Sequence, residues 1–211
     1  MHISEGVLSA PVLLAGGVAA AAGVAVGMAK MREEDIVKTA VLSAALFVAT
    51  LIRVPVGFSA VHLILNGLAG LLLGWQVFPA FAVALVLQAT LFGFGGLTTL
   101  GVNILVLALP GALCYLLFHR AARSAPPRRA FWIGAATGAF AIVIGGLLLA
   151  TVLISTGEEF TLIAGTVLLA HLPVMVVEGF VTGAAVSFLV RVRPETFTQG
   201  SVGSSATEDG A

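Results

Sequence analysis

The sequence predicts an all-α fold, a polytopic membrane helical bundle of about seven transmembrane helices with the amino terminus outside and the carboxy terminus cytoplasmic. Three observations predict it. Apolar residues make up 59% of the 211 and charged residues only 9%, with a mean hydropathy of +1.12. A soluble domain carries roughly 25% charged residues, so this chain has too little polar surface to coat itself in water. Apolar stretches recur from residue 10 to residue 190, and at about 20 residues per crossing they leave no room for a soluble domain. Finally, segments 30–38, 120–129 and 191–193 hold nine of the ten lysines and arginines, leaving Arg53. Seven crossings put all three segments in the cytoplasm, as the bias of basic residues towards that side requires.

Residues 1–8 are polar and lead to Pro11, a good first-turn residue. The first span, about 10–29, carries Ala15, Ala19, Gly23 and Gly27 at intervals of four. Such a small-residue stripe lets another helix approach closely, either within this chain or from a partner membrane protein. A charged loop, Glu33-Glu34-Asp35, precedes a second span over about 36–52. Pro55 and Gly57 break the chain before a short third span from Val61 to about residue 74, with Trp75 at its interfacial end.

The fourth span, about 78–93, carries Gln88, and the segment 92–103 is rich in glycine yet apolar. It reads as irregular backbone buried at membrane depth, tolerated only where protein or a cavity satisfies it. A fifth span over about 102–118 precedes a basic loop from His119 to Arg129. The sixth covers about 130–154. The seventh, about 161–190, contains His171, Pro173 and Glu178, and its proline should kink or split it. Residues 1–193 are therefore expected to form one transmembrane domain, and 194–211, rich in Gly, Ser, Thr and acid, a disordered tail.

Net charge is zero and the basic residues form no extended patch, so nucleic acid is not an expected partner; the lipid bilayer is. The single cysteine, Cys114, excludes a disulfide framework or a thiolate zinc cluster within one chain. His2 and Glu5 precede the first span where a signal peptide would be basic, so Met1 is expected to remain the terminus. The localisation that follows is a cell membrane, in a bacterium the inner membrane, crossed several times.

Met1-His2 carries the chemistry. The terminal amine and the amide nitrogen of His2 close a five-membered chelate ring, and that amide with the His2 imidazole Nδ1 closes a six-membered one. Loss of the amide proton gives a nearly planar donor set suited to the later divalent transition metals. His62, near the outer end of the third span, stands on the same side and supplies a fourth nitrogen; a core histidine bonded to a backbone carbonyl is the alternative. A flat four-nitrogen site from Met1, His2 and His62 favours nickel or copper, admits cobalt, suits zinc badly because zinc prefers a tetrahedron, and rejects the oxygen-seeking calcium and magnesium. Cobalt and nickel are not separable on these ligands.

Asn66, one helical turn beyond His62, could orient it by hydrogen bond. Gln88, Thr98, Thr99 and Asn103 are candidates to line the cavity, with helix packing as the alternative for each. His171 and Glu178 share a helix face and should bury together, in a structural pair or as ligands. Ionisable groups inside a membrane mark function by default. His119, beside Arg120, reads as interfacial. Competing classes are a membrane redox subunit with a haem between His62 and His171, and an ion-conducting bundle using His171 and Glu178. Neither gives the amino terminus a role.

These motifs resemble a known family, the substrate-binding membrane component (CbiM/NikM) of cobalt and nickel energy-coupling-factor transporters. The likeness rests on Met1-His2-Ile3-Ser4-Glu5-Gly6, on Pro55-Val56-Gly57 followed by Val61-His62-Leu63-Ile64-Leu65-Asn66-Gly67-Leu68-Ala69-Gly70, on Gly95-Gly96-Leu97-Thr98-Thr99-Leu100-Gly101-Val102-Asn103, and on His171-Leu172-Pro173 with Glu178-Gly179. It implies that the amino-terminal segment inserts into the bundle and that the terminal amine, the His2 amide and imidazole, and His62 hold Co2+ or Ni2+ as transported substrate. It also implies a transmembrane coupling protein, cytoplasmic ABC ATPase subunits and, in many systems, a small accessory membrane subunit. The chain has no phosphate loop ending in Gly-Lys-Ser/Thr, so it is expected to be a non-catalytic subunit. Many members have histidine where this chain has Phe94, so no ligand is expected there. No function that resides in the longer carboxy-terminal extension of some relatives is expected.

Overall fold

The computed structural model describes residues 3–51, 53–56 and 59–197, and for 53–56 and 59–62 the backbone alone. Among these, seven α-helices follow in order: α1 (Ala10–Ala29), α2 (Glu33–Leu51), α3 (Asn66–Leu73), α4 (Val77–Phe92), α5 (Leu100–Arg123), α6 (Pro127–Thr156) and α7 (Thr161–Val192). Between α2 and α3 lie two short strands, β1 (Arg53–Val56) and β2 (Ser59–His62). Three-residue 3-10 turns join α3 to α4 and α6 to α7, and a four-residue one, Pro194–Phe197, follows α7.

Among the described residues, five stretches are long and apolar enough to cross a membrane: Ala10–Ala29, Asn66–Phe92, Leu100–Arg123, Pro127–Thr156 and Glu158–Val192. That is fewer than the seven spans expected. α2 opens on Glu33, Glu34, Asp35 and Lys38, which leaves its apolar part short. α3 has eight residues, about 12 Å at 1.5 Å per residue, against a hydrocarbon layer of about 30 Å. It meets α4 through Gly74, whose φ of 59° ends the first helix.

The expected helix from Val61 is also corrected. β1 and β2 pair antiparallel, with Arg53 opposite His62 and Val56 opposite Ser59, so the fold is helical with one small ribbon. β-branched Val54, Val56 and Val61 favour extended backbone, and Pro55 is tolerated because an isolated ribbon has free edges. Residues 63–65 are irregular, Leu65 has the only positive φ (55°) outside glycine among the described residues, and helix begins at Asn66.

Three further expectations change. The basic segment after His119 is mostly helical, because α5 runs to Arg123 and α6 restarts at Pro127. Arginines are good helix formers and suit a helix carboxy end, and Pro127 suits a first turn. α7 continues through Pro173 and α5 through Pro110, so the proline does not split the last helix. The carboxy-terminal tail does not loosen at 194: Phe197 is buried with Leu71, Ala122, Ala130 and Val186.

Small residues set the packing. Gly16, Ala20, Gly23 and Gly27 are the buried residues of α1, with Gly23 against Phe78 of α4. The stripe therefore packs inside this chain through its glycines, while Ala15 is exposed. α3 meets α5 more closely still, since a Cβ on Gly70 would overlap the Gly111 backbone. Phe78, Phe81, Leu85, Leu107 and Ile142 fill the central core at that level.

Candidate functional site

The amino-terminal segment is held from both ends of its visible length. Ile3 is buried among Leu8, Val102, Val106, Leu149 and Leu153. Its N–H donates to Asn103 Oδ1 at 2.9 Å, and its carbonyl accepts from Thr99 Oγ1 at 2.9 Å and Asn103 Nδ2 at 3.1 Å. Asn103 Nδ2 also lies 3.2 Å from Thr99 Oγ1, so the two side chains form one clamp. Two residues on, the Glu5 carboxylate accepts the N–H groups of Leu97 (2.8 Å) and Thr98 (3.2 Å). These amides stand just before α5, where an anion also meets the positive end of the helix dipole.

The second piece is the elbow between β2 and α3. Glu178 of α7 is 1% exposed, and its carboxylate accepts the N–H of Ile64 and, at 3.0 and 3.1 Å, that of Leu65. A non-helical backbone inside a bundle needs such partners. Asn66 opens α3, donating to Leu107 O at 3.4 Å while its Oδ1 accepts the Gly67 N–H at 3.0 Å.

The two pieces converge on α5. Asn103 grips Ile3 and Leu107 receives Asn66; four residues apart, these positions share a face about 6 Å apart along the axis. Ile3 and the elbow that follows β2 are thereby held at neighbouring levels of α5.

Met1 and His2 lie outside the described residues, and for His62 only the backbone at the end of β2 is described. Thr99 and Asn103 bond the backbone of Ile3 through their side chains. The Thr98 side chain is exposed and Thr98 meets the segment only through its N–H, bonded to Glu5, because the turn into α5 points its neighbour Thr99 inward. Gln88 ties α4 to α2 through Thr50 Oγ1 at 2.6 Å, and its Oε1 has no partner among the described residues. Asn66 does not sit a helical turn from His62, since residue 62 is strand. His171 and Glu178 are not a pair: the His171 Nδ1 bonds Val167 O at 2.6 Å, while Glu178 serves the elbow. His119 bonds Leu71 O at 3.0 Å and packs on Tyr115, sixteen residues along α5 from Asn103. The glycine-rich segment 93–99 is irregular as expected, yet only Thr99 in it is buried. Sequence reasoning missed Glu5, whose signal was a lone carboxylate close to an amino terminus and a Gly95-Gly96 loop able to receive it.

Fold and site together define a multi-pass helical membrane protein whose amino-terminal segment is docked into its own bundle. Residues 2–196 match the family model described as the cobalt uptake substrate-specific transmembrane region, CbiM, and the chain belongs to that family. It is 41% identical over 201 residues to a protein of Haemophilus influenzae named as a metal transport protein, covering 94% of this chain and 98% of that one. It is 33% identical over 167 residues to a fused nickel transport protein of Archaeoglobus fulgidus, covering 75% of this chain and 55% of the relative. The crystal structure of a transition metal transporter superposes with a TM-score of 0.67 at 25% identity, covering 91% of this chain and 93% of that one. The family is described by cobalt uptake, and the fused relative is named for nickel transport.

Proposed function

We propose that this chain is the high-affinity, substrate-specific component of an ATP-driven energy-coupling-factor transporter, capturing Co2+ or Ni2+ from outside the bacterial inner membrane. The donors are the Met1 amine, the His2 amide and imidazole, and His62. The observation that carries this reading is the convergence on α5: the clamp on Ile3 and the elbow bond from Asn66 lie one turn apart on one helix. In this reading a chelate at residues 1 and 2 closes on the imidazole of residue 62, and the two anchored neighbours, Ile3 and Asn66, support it. Asn103, Thr99 and Glu5 preorganise the amino-terminal arm, and Glu178 preorganises the arm bearing His62, so little ordering is left for the ion to impose.

The amine, amide and imidazole must all release protons to bind, so affinity falls as pH falls. The basic ends at Lys30, Arg32, Arg120, Arg123, Arg128 and Arg129 face the cytoplasm under the positive-inside bias, with Met1 outside and seven helices placed across or within the bilayer. A membrane coupling protein and paired cytoplasmic ATPases drive release, with a small accessory membrane subunit completing the complex.

The test is calorimetric titration of Ni2+ and Co2+ into protein with a native terminus and into protein with one glycine added before Met1. The added residue moves the amine out of the five-membered ring, and binding should weaken at least 100-fold. Equal affinity in the extended protein would overturn the assignment.

A further inference from the structure

The opposite end of the bundle holds a cavity of about 450 Å³ that metal capture leaves without a role. Its charged lining comes from the α1–α2 turn and the first turns of α2, and its other walls from the α3–α4 junction, the last turns of α5 and Thr196. Two of its charges are already satisfied. Asp35 accepts the Arg32 backbone N–H at 3.2 Å and Gln76 Nε2 at 3.0 Å, while the Arg32 guanidinium reaches both Asp35 and Glu34.

Two ammonium groups are not matched in this way. Lys30 Nζ stands over the Trp75 ring, 5.2 Å from its centroid. Lys38 Nζ makes one hydrogen bond, to Thr196 O at 3.5 Å. Neither has a carboxylate within ion-pair distance among the described residues. Beside them Tyr115 offers a hydroxyl, while Leu72, Leu73 and Leu116 give the same cavity an apolar wall. Leu116 and Leu117 are 57% and 59% exposed on the outer face of α5, one turn before Arg120, which marks this level as the edge of the hydrocarbon layer. Trp75 and Tyr115 are the aromatic types that settle at that boundary.

We propose that this cavity binds the headgroup of an anionic phospholipid, its phosphate between Lys30 and Lys38 and its upper acyl chain along Leu116. A soluble anion would use the ammonium groups but leave the leucine wall unused; a zwitterionic lipid would match the wall but bring its own cation to the lysines. Basic pockets between membrane helices recognise acidic headgroups through this combination. The carboxy-terminal turn, anchored by buried Phe197 and tied to Lys38 through Thr196 O, forms a lid that the bound headgroup steadies.

The experiment uses the full chain in nanodiscs of phosphatidylcholine with and without phosphatidylglycerol. Retained lipid is read by native mass spectrometry and thermal stability by its unfolding midpoint. Wild-type protein should retain phosphatidylglycerol preferentially and unfold at higher temperature in its presence. At about fivefold per lysine, Lys30→Gln with Lys38→Gln should weaken retention on the order of 25-fold. Arg128→Gln with Arg129→Gln, which removes exposed charge outside the cavity, should retain the lipid as wild type does. The proposal is overturned by wild-type protein with no preference for phosphatidylglycerol, or by equal loss in both double variants. Equal stabilisation by inorganic phosphate in phosphatidylcholine alone would also overturn it, assigning the cavity to a soluble anion.

Discussion

Asn103 holds both polar groups of Ile3: its Oδ1 accepts the Ile3 N–H at 2.9 Å and its Nδ2 donates to the Ile3 carbonyl at 3.1 Å. One carboxamide thereby fixes the backbone of Ile3. Asn103→Ala leaves the Ile3 N–H buried without an acceptor, a cost of about 1–3 kcal/mol. The carbonyl keeps the Thr99 hydroxyl, so the segment loosens without leaving its pocket. Ni2+ affinity measured by calorimetry should fall roughly 10–100-fold, the usual effect of losing a group that orients a ligand. Wild-type affinity in this variant would disconnect the clamp from metal binding.

Glu178 does the corresponding work for the elbow. Glu178→Ala orphans the buried N–H groups of Ile64 and Leu65, about 2–6 kcal/mol if each costs about 1–3. Glu178→Gln keeps one carbonyl acceptor and should be milder. Hydrogen exchange over residues 63–66 should accelerate strongly in the alanine variant and modestly in the glutamine one, with metal affinity falling in the same order. Unchanged protection in both would mean that the carboxylate does not hold the elbow.

Much of this fold can be read from local pattern, and the limits are physical. α1, α5, α6 and α7 appear in the sequence because each is an apolar run long enough for a bilayer crossing. α3 misleads because His62 and Asn66 have helical spacing, while the groups that stop the helix at Asn66 sit on α7, 114 residues from Ile64. His171 and Glu178 do share a face, yet a common face does not make a pair when the carboxylate has two backbone amides to serve. Asn103 was legible as a polar residue in an apolar helix. Glu5 was not, because its acceptor role exists only once Leu97 and Thr98, more than ninety residues later, fold beside it.

Gly70 and Gly165 should respond oppositely to alanine. A Cβ at Gly70 would lie 1.9 Å from Gly111 O, backbone against backbone, while one at Gly165 meets nothing within 4 Å. Gly70→Ala must separate α3 from α5, and overpacking of this kind costs about 1–3 kcal/mol or more. Gly165→Ala lies in an exposed helical position and gains up to about 1 kcal/mol of helix propensity. Unfolding midpoints in detergent should fall for the first and hold or rise for the second. A Gly70→Ala protein as stable as wild type would show that the α3–α5 contact has room the structure denies.

Asp35 makes the junction of α1, α2 and α4 sensitive to acid. Burial alone would push its carboxyl up, but the Arg32 N–H, the Gln76 carboxamide and the Arg32 guanidinium together hold it below the ordinary carboxylate value, near 4. A carboxyl lowered in the folded state stabilises above its unfolded value and loses that contribution as pH falls through its folded one. Asp35→Asn keeps an acceptor for Arg32 and Gln76 but not the charge, so it should destabilise the protein by roughly 1 kcal/mol at neutral pH. The gap between the two unfolding midpoints should stay constant from pH 7 to about 5 and close below about 4. A gap that persists at pH 3 would mean that Asp35 matters for its shape rather than its charge.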